Sequence, residues 1–306
     1  MLISELMTYW AKSTFDSGSG HPWELKEYPD GGYCAYSTRN FNQGDLILSE
    51  MPTITVQGHH PFTSKQIDEI ENNIKALLEV ERNAFYDMSN VFIDAPTLSA
   101  GIFMTNSFDM TDSPQGESCG MYLAIARLNH SCSPNVQQTH ISHSSKEVLY
   151  ACRTIAIGDE INDSYIDLRQ DYNTRQRILQ ENYRFKCTCI ACSLPIEQRI
   201  YDDKQRTQAL TLESALLILA ENQKTDAALG KAVELVTLLT NTNNMNWSIR
   251  YISSALMYIY HIALSLDMTE YAQQCLSKAH RLNLSLTGPE SPDSIRTQAL
   301  LDGLSS

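Results

Sequence analysis

No stretch of this 306-residue chain reaches the roughly eighteen uninterrupted apolar residues that a membrane-spanning helix requires. Met1 to Gly20 has neither a basic start nor an apolar core, so no secretory signal is expected. Positive charge is also short, with 23 Lys and Arg against 36 Asp and Glu and a net charge of −13. Non-specific nucleic-acid binding needs a basic footprint, so this deficit argues against direct DNA binding. An acidic surface serves solubility, and it can also steer a lysine-rich peptide towards a cleft.

What is present suggests about two domains, which the 42% hydrophobic content can supply. The chain is organised around RLNHSCSPNV, Arg127 to Val136, whose complements lie downstream in GDEINDSYID (Gly158 to Asp167) and FKCTCIAC (Phe185 to Cys192). With no secretory signal, the eight cysteines are expected to be reduced, in the nucleus or cytoplasm, which favours zinc over disulfides for the clustered ones. Cys187, Cys189 and Cys192 sit too close together to be ordinary core residues. Three thiolates leave a tetrahedral zinc one ligand short, and Cys132 is the candidate fourth. Four thiolates leave no open position for water, so the metal reads as structural, and a zinc hydrolase is set aside. If Cys132 closes the site, a C-terminal segment is pinned against the NHSC loop, and Asn129, His130 and Tyr165 converge on one cleft. Cys34, Cys119, Cys152 and Cys275 are scattered and read as small buried residues.

The set NHSC, then GDEI with a tyrosine a few residues on, then Y-x-F-x-C-x-C-x-x-C, resembles the SET-domain protein lysine methyltransferases with a post-SET zinc motif. The likeness is strongest to the SET-and-MYND subgroup. GYCAYSTRNFNQGDLILSEMP, Gly32 to Pro52, agrees with the opening motif of that family at most positions. Where the subgroup inserts a MYND finger, this chain has no cysteine, so the finger is absent. The resemblance implies an α+β chain: a β-rich SET fold (β-clip, with a pseudoknot at the NHSC loop), a helical insert, a post-SET zinc site and an all-α C-terminal domain. The boundaries expected are an N-terminal helix and linker at 1–29, a SET domain at 30–168 with its insert at about 58–100, a post-SET segment at 169–196 and helices at 203–306.

It also implies S-adenosylmethionine as cofactor. Main-chain contacts are expected from Gly32, Tyr33 and Cys34, and side-chain or ring contacts from Asn106, Asn129, His130, Tyr165 and Phe185. Cys34 stands where the family has a second glycine, a departure that is tolerated if its side chain points away. Asn106, in GIFMTNSFDM, reads almost as well as a turn asparagine bonding its own backbone. Tyr183 matches a residue lining the lysine channel, and Tyr165 matches the tyrosine beside the transferring methyl. A core tyrosine with a bonded hydroxyl is the commoner fate of that residue type, and the motif outweighs it here.

Local patterns complete the reading. Leu2 to Trp10 suggests a short helix, followed by the flexible connector SGSGHP. YCAYST and DLILSE, split by Asn42-Gln43-Gly44, read as a β-hairpin. Ile67, Ile70, Ile74, Leu77, Leu78 and Val80 give one helix over 64–87 with Ser64 as its N-cap. His59 and His60, with no thiol or carboxylate in ligand spacing, read as exposed loop histidines. TDSPQGESC is a polar loop, VLYACRTI a strand, and Leu168 to Phe185 a helix leading to the cysteines. Helices are expected near 205–222, 225–241, 247–266, 268–286 and 292–304, an antiparallel array resembling a tetratricopeptide domain. Its concave surface can cover a substrate groove or bind a partner protein.

The chain therefore reads as a methyltransferase acting on the side-chain amine of a lysine in a protein or peptide substrate, histone or non-histone. The alternative is a catalytically degenerate SET module that binds peptides or scaffolds partners, and Cys34 is the feature favouring it.

Overall fold

The structure, a computed structural model, describes residues 21–27, 32–110, 116–242 and 246–304. The helix expected at Leu2–Trp10, most of the SGSGHP connector and the first part of the TDSPQGESC loop lie outside the described residues. Two compact units are formed, one from Met1–Asn129, Gln138–Asn162 and Asn182–Arg184, the other from His130–Gln137, Asp163–Glu181 and Phe185–Ser306.

The first unit carries the β-structure. Strand β1 (Trp23–Glu27), anchored by the fully buried Trp23, pairs antiparallel with β2 (Tyr33–Ser37). Next come β3 (Leu46–Glu50), β4 (Ile54–Gln57), helices α1 (Ser64–Ala76), α2 (Glu79–Tyr86) and α3 (Leu98–Asn106), then β5 (Phe108–Met110) and β6 (Ser118–Met121). Two-residue strands β7 (Asn129–His130) and β10 (Asn162–Asp163) mark where the chain passes from one unit into the other, with β8 (Val136–Ile141) and β9 (Lys146–Ala151) between them. The larger sheets run β3-β9-β8 and β4-β6-β5.

Two local expectations are corrected here. The turn at Asn42–Gly44 exists, with the Asp45 N–H donating to the Asn42 carbonyl at 3.1 Å, but its flanking strands do not pair with each other. Strand β2 takes β1 as its partner and β3 takes β9, because alternation marks a strand without naming what it pairs with. The single helix over 64–87 is two: Leu77 and Leu78 are extended (ψ 150° and 152°), and the first helix is capped by Thr63, not Ser64. Thr63 and Gln66 form a reciprocal capping box there, which satisfies two of the otherwise unpaired donors at a helix start.

A buried carboxylate fixes the approach to the NHSC loop. Glu50, at the end of β3, accepts from the N–H of Ala124 at 3.0 Å and of Ile125 at 2.9 Å, and so holds the 3-10 turn Ile125–Arg127. Burial pushes its pKa up to about 7, and the nearby Glu147 adds to the rise, while the backbone N–H groups oppose it. A carboxyl raised in the folded state contributes stability that is fully present below its unfolded pKa and is lost as pH rises through the folded one. The free energy of unfolding should therefore fall between about pH 4.5 and about pH 7, by roughly 2–4 kcal/mol in all, and Glu50→Gln should flatten that slope. An unchanged slope in the variant would remove Glu50 as its source.

The second unit is mainly helical. It contains most of α4 (Tyr172–Tyr183), then α5 (Ile196–Glu221), α6 (Thr225–Thr240), α7 (Ile249–Ser265), α8 (Thr269–Thr287) and α9 (Pro292–Leu304). Successive helices from α5 to α9 pack on one another, with small residues such as Ala263 and Ala272 beside Tyr260 and Leu276 in the core. Helix α5 starts earlier than its apolar stripe suggested, because its opening turns bury Asp202, Gln205 and Arg206 instead of apolar side chains. Among the described residues, no helix is long and apolar enough to cross a membrane.

Candidate active site and zinc centre

In the second unit, Cys132, Cys187, Cys189 and Cys192 place their sulfurs within 4.8 Å of one another, and Cys132 Sγ lies 3.6 Å from Cys192 Sγ. A tetrahedral zinc with bonds of about 2.3 Å separates its sulfurs by about 3.8 Å, so the spacing suits that ion. The donor chemistry suits it too. Cys189 is held well below the usual thiol range by hydrogen bonds from Cys132, Cys187 and Cys192, and it accepts the Cys132 backbone N–H at 3.3 Å.

A zinc tetrathiolate carries two net negative charges, and buried guanidiniums answer them. Arg175 is fully buried, pairs with Asp203 at 3.2 Å, and keeps Nε and Nη2 without an oxygen or nitrogen acceptor. Burial lowers its pKa, and the charges of Cys132 and Cys192, ahead of that of Asp203, more than reverse the effect. Arg206, also fully buried, donates to Asp202 at 2.6 Å, to the Leu168 carbonyl at 2.7 Å and to the Cys132 carbonyl at 3.0 Å. Its guanidinium stands over the buried Trp247 ring at 5.0 Å.

His130 links this cluster to Tyr165. Its Nδ1 accepts the backbone N–H of Tyr165 at 3.0 Å, so the ring proton sits on Nε2, which donates to Cys132 Sγ at 3.3 Å. Burial pushes the His130 pKa down to about 4, and the guanidiniums of Arg175, Arg250 and Arg206 lower it further against the pull of Cys189, so the ring is neutral. Around it stand Tyr165, 5.4 Å away by ring centroid, and Phe185 at 6.2 Å, with Tyr165 and Phe185 edge to face at 6.5 Å. Tyr165 is 36% exposed, so its ring is open on one side. Both nitrogens of the His130 ring are therefore engaged within this unit.

Residues that the sequence reading did not select hold this arrangement. Arg250 of α7 donates to the Val136 carbonyl at 3.1 Å and pairs closely with Asp163, whose own carbonyl accepts the Ser131 N–H at 2.7 Å. Tyr251 Oη accepts the Leu168 N–H at 3.0 Å and donates to Asp167 at 2.9 Å. The one available signal was Arg250, the single Asp, Glu, Lys or Arg in the largely apolar α7.

In the first unit, Cys34 is buried and its Sγ faces Asn129 Nδ2 at 3.1 Å, so this side chain points inward. The same amide lies 3.1 Å from the Tyr33 carbonyl and 3.1 Å from Glu160 Oε1, which makes Asn129 a tie between β2 and the GDEI segment. Gly32 has φ +86°, a backbone few side chains tolerate, and a Cβ there would meet open space. The Asn106 amide, at the end of α3, donates to the Ser89 carbonyl at 2.8 Å, seventeen residues back, and to the Ile102 carbonyl at 2.7 Å, one helical turn back, and only its carbonyl oxygen remains for another partner. Tyr183 is half-buried, and burial, with the charge of Asp109, raises its phenol pKa.

The family model that matches this chain is described as "SET domain" and covers residues 32–166. Residues 32–166 are a SET domain. The curated relatives agree. The chain is 32% identical over 184 residues to histone-lysine N-methyltransferase set5 of Schizosaccharomyces pombe, covering 58% of this chain and 54% of that protein. N-lysine methyltransferase SMYD2 of Gallus gallus is 22% identical over 190 residues, 56% of this chain and 43% of that protein. Human histone-lysine N-methyltransferase SMYD3 is 33% identical over 88 residues, 28% of this chain and 20% of that protein. The chain spans about half the length of the curated relatives it matches. It thus joins a SET domain containing β-sheets to a helical C-terminal region.

Proposed function

We propose that this chain transfers methyl groups from S-adenosylmethionine to the side-chain amine of a lysine in a protein substrate. The observation that carries the reading is the neutral His130 ring, which joins the backbone of Tyr165 to the Cys132 thiol and groups Tyr165, Phe185 and His130 in one aromatic cluster. The relatives named as lysine methyltransferases support it.

S-adenosylmethionine, when bound, supplies an electrophilic sulfonium methyl. The main chain of Gly32, Tyr33 and Cys34 is offered to it, since Cys34 turns its sulfur inward and Asn129 steadies the Tyr33 carbonyl. Asn106 offers its carbonyl oxygen, His130 its backbone, and Phe185 a ring face for the adenine. Tyr183 lines the channel of the incoming lysine. That lysine must arrive as the free amine, and apolar aromatic walls lower its pKa from the model value of about 10.4 so that water can take the proton. Tyr165 aligns the amine for in-line displacement through its hydroxyl. Cys132, Cys187, Cys189 and Cys192 hold a zinc whose role is structural.

The net charge of −13 suits a lysine-rich protein or peptide, histone or non-histone, in the nucleus or cytoplasm, and the helical array offers a surface for a protein partner. The rival reading, a binding-only SET module, rested on Cys34, whose side chain lies inside the first unit. Isothermal titration separates the two. Stoichiometric binding of S-adenosylmethionine is expected, and no heat at any attainable concentration would favour the binding-only module.

A further inference from the structure

His59, read from sequence as a loop histidine without metal-binding partners, has them through the fold. Sheet β4-β6-β5 brings three separated residues to one end. His59 follows β4 directly after Gly58, which turns the chain at φ +86°, while Asp109 and Cys119 face each other across β5 and β6 as register partners. His59 Nδ1 lies 3.0 Å from Asp109 Oδ1 and 3.8 Å from Cys119 Sγ, and Cys119 Sγ lies 3.5 Å from Asp109 Oδ1. All three ligand atoms fall within 4.8 Å of one another.

We propose that His59, Asp109 and Cys119 form a second, open metal site that takes a divalent transition ion of borderline softness, zinc foremost. The set of one imidazole nitrogen, one carboxylate oxygen and one thiolate is that of zinc. With bonds of about 2.0–2.1 Å to nitrogen and oxygen and about 2.3 Å to sulfur, these separations subtend roughly 95°, 105° and 120° at a common ion, close to three corners of a tetrahedron. The fourth corner is left for water.

A second observation points the same way. Glu117 Oε2 lies 3.5 Å from His59 Nε2, the nitrogen facing away from the proposed ion. A carboxylate behind a ligating histidine fixes its tautomer and raises its basicity. Two carboxylates thus face His59, and Asp109 faces the Cys119 thiol as well. As the metal–sulfur bond forms, the Cys119 proton, now directed at Asp109 and the Gly58 carbonyl, passes to the solvent. His60 takes no part, since its ring packs on Phe92 at 5.4 Å. The site is separate from the four-cysteine centre and stands whether or not the methyltransferase reading does.

Cobalt(II) added to protein whose four-cysteine centre is filled with zinc tests this. Wild-type protein should develop a thiolate-to-cobalt charge-transfer band that saturates at one equivalent. Cys119→Ser should lose the band. His59→Gln, a change on a loop outside the core, should weaken cobalt affinity at least about tenfold, and Glu117→Gln about tenfold. No band in wild-type protein, or a band of unchanged affinity in His59→Gln, would overturn the proposal.

Discussion

Cys189→Ser should release the tightly held zinc and unfold the segments that meet at it. Structural zinc in small motifs contributes an apparent ~10–16 kcal/mol, comparable with or larger than the ~5–15 kcal/mol that holds a typical protein folded. Cys189 also accepts the Cys132 backbone N–H, so its loss frees the NHSC loop as well as one ligand. The buried guanidiniums of Arg175 and Arg206 then face a centre without its compensating charge. Elemental analysis after mild chelation should find one zinc per chain in wild-type protein and none in the variant, whose melting transition should drop or broaden. A variant that melts like wild type would remove the metal from the account.

Tyr165→Phe should behave in the opposite way. Only a hydroxyl is removed, while the ring that stands against His130 and Phe185 and the backbone N–H that His130 accepts are both retained. Melting and cofactor affinity should hardly move, whereas turnover should fall by the roughly 10²–10³-fold typical of losing one positioned transition-state donor. His130→Ala makes the contrast, because it deletes both the Tyr165 N–H acceptor and the donor to Cys132. It should weaken cofactor binding and lower the melting temperature together. Steady-state rates and calorimetric affinities measured side by side distinguish the two. Full activity in Tyr165→Phe would mean that the chemistry sits elsewhere.

The sequence carried what depends on local spacing. Three cysteines within six positions, with a fourth in NHSC, identified the cluster that the fold assembles, and the 3.6-residue period marked helices α5 to α9. Pairings over long range stayed hidden. Alternation in residues 33–37 and 46–50 gave two strands but assigned them to each other, since nothing in WELKE announces that it is the partner of β2. The two engaged nitrogens of His130 follow from where Tyr165 and Cys132 meet, which no spacing rule encodes. Arg206 and Arg250 were passed over because a charged residue in an amphipathic helix reads as surface, while here burial is balanced by carbonyls and carboxylates far away in sequence. His59 illustrates the same limit, with partners fifty and sixty residues on.

Methyl transfer from radiolabelled S-adenosylmethionine onto an array of lysine-containing peptides tests the central claim most directly. The account predicts label on a subset of peptides, its disappearance when the target lysine is replaced by arginine, and a signal close to background for Tyr165→Phe. Cofactor binding without any labelled lysine, or label that persists on the lysine-free peptides, would contradict it.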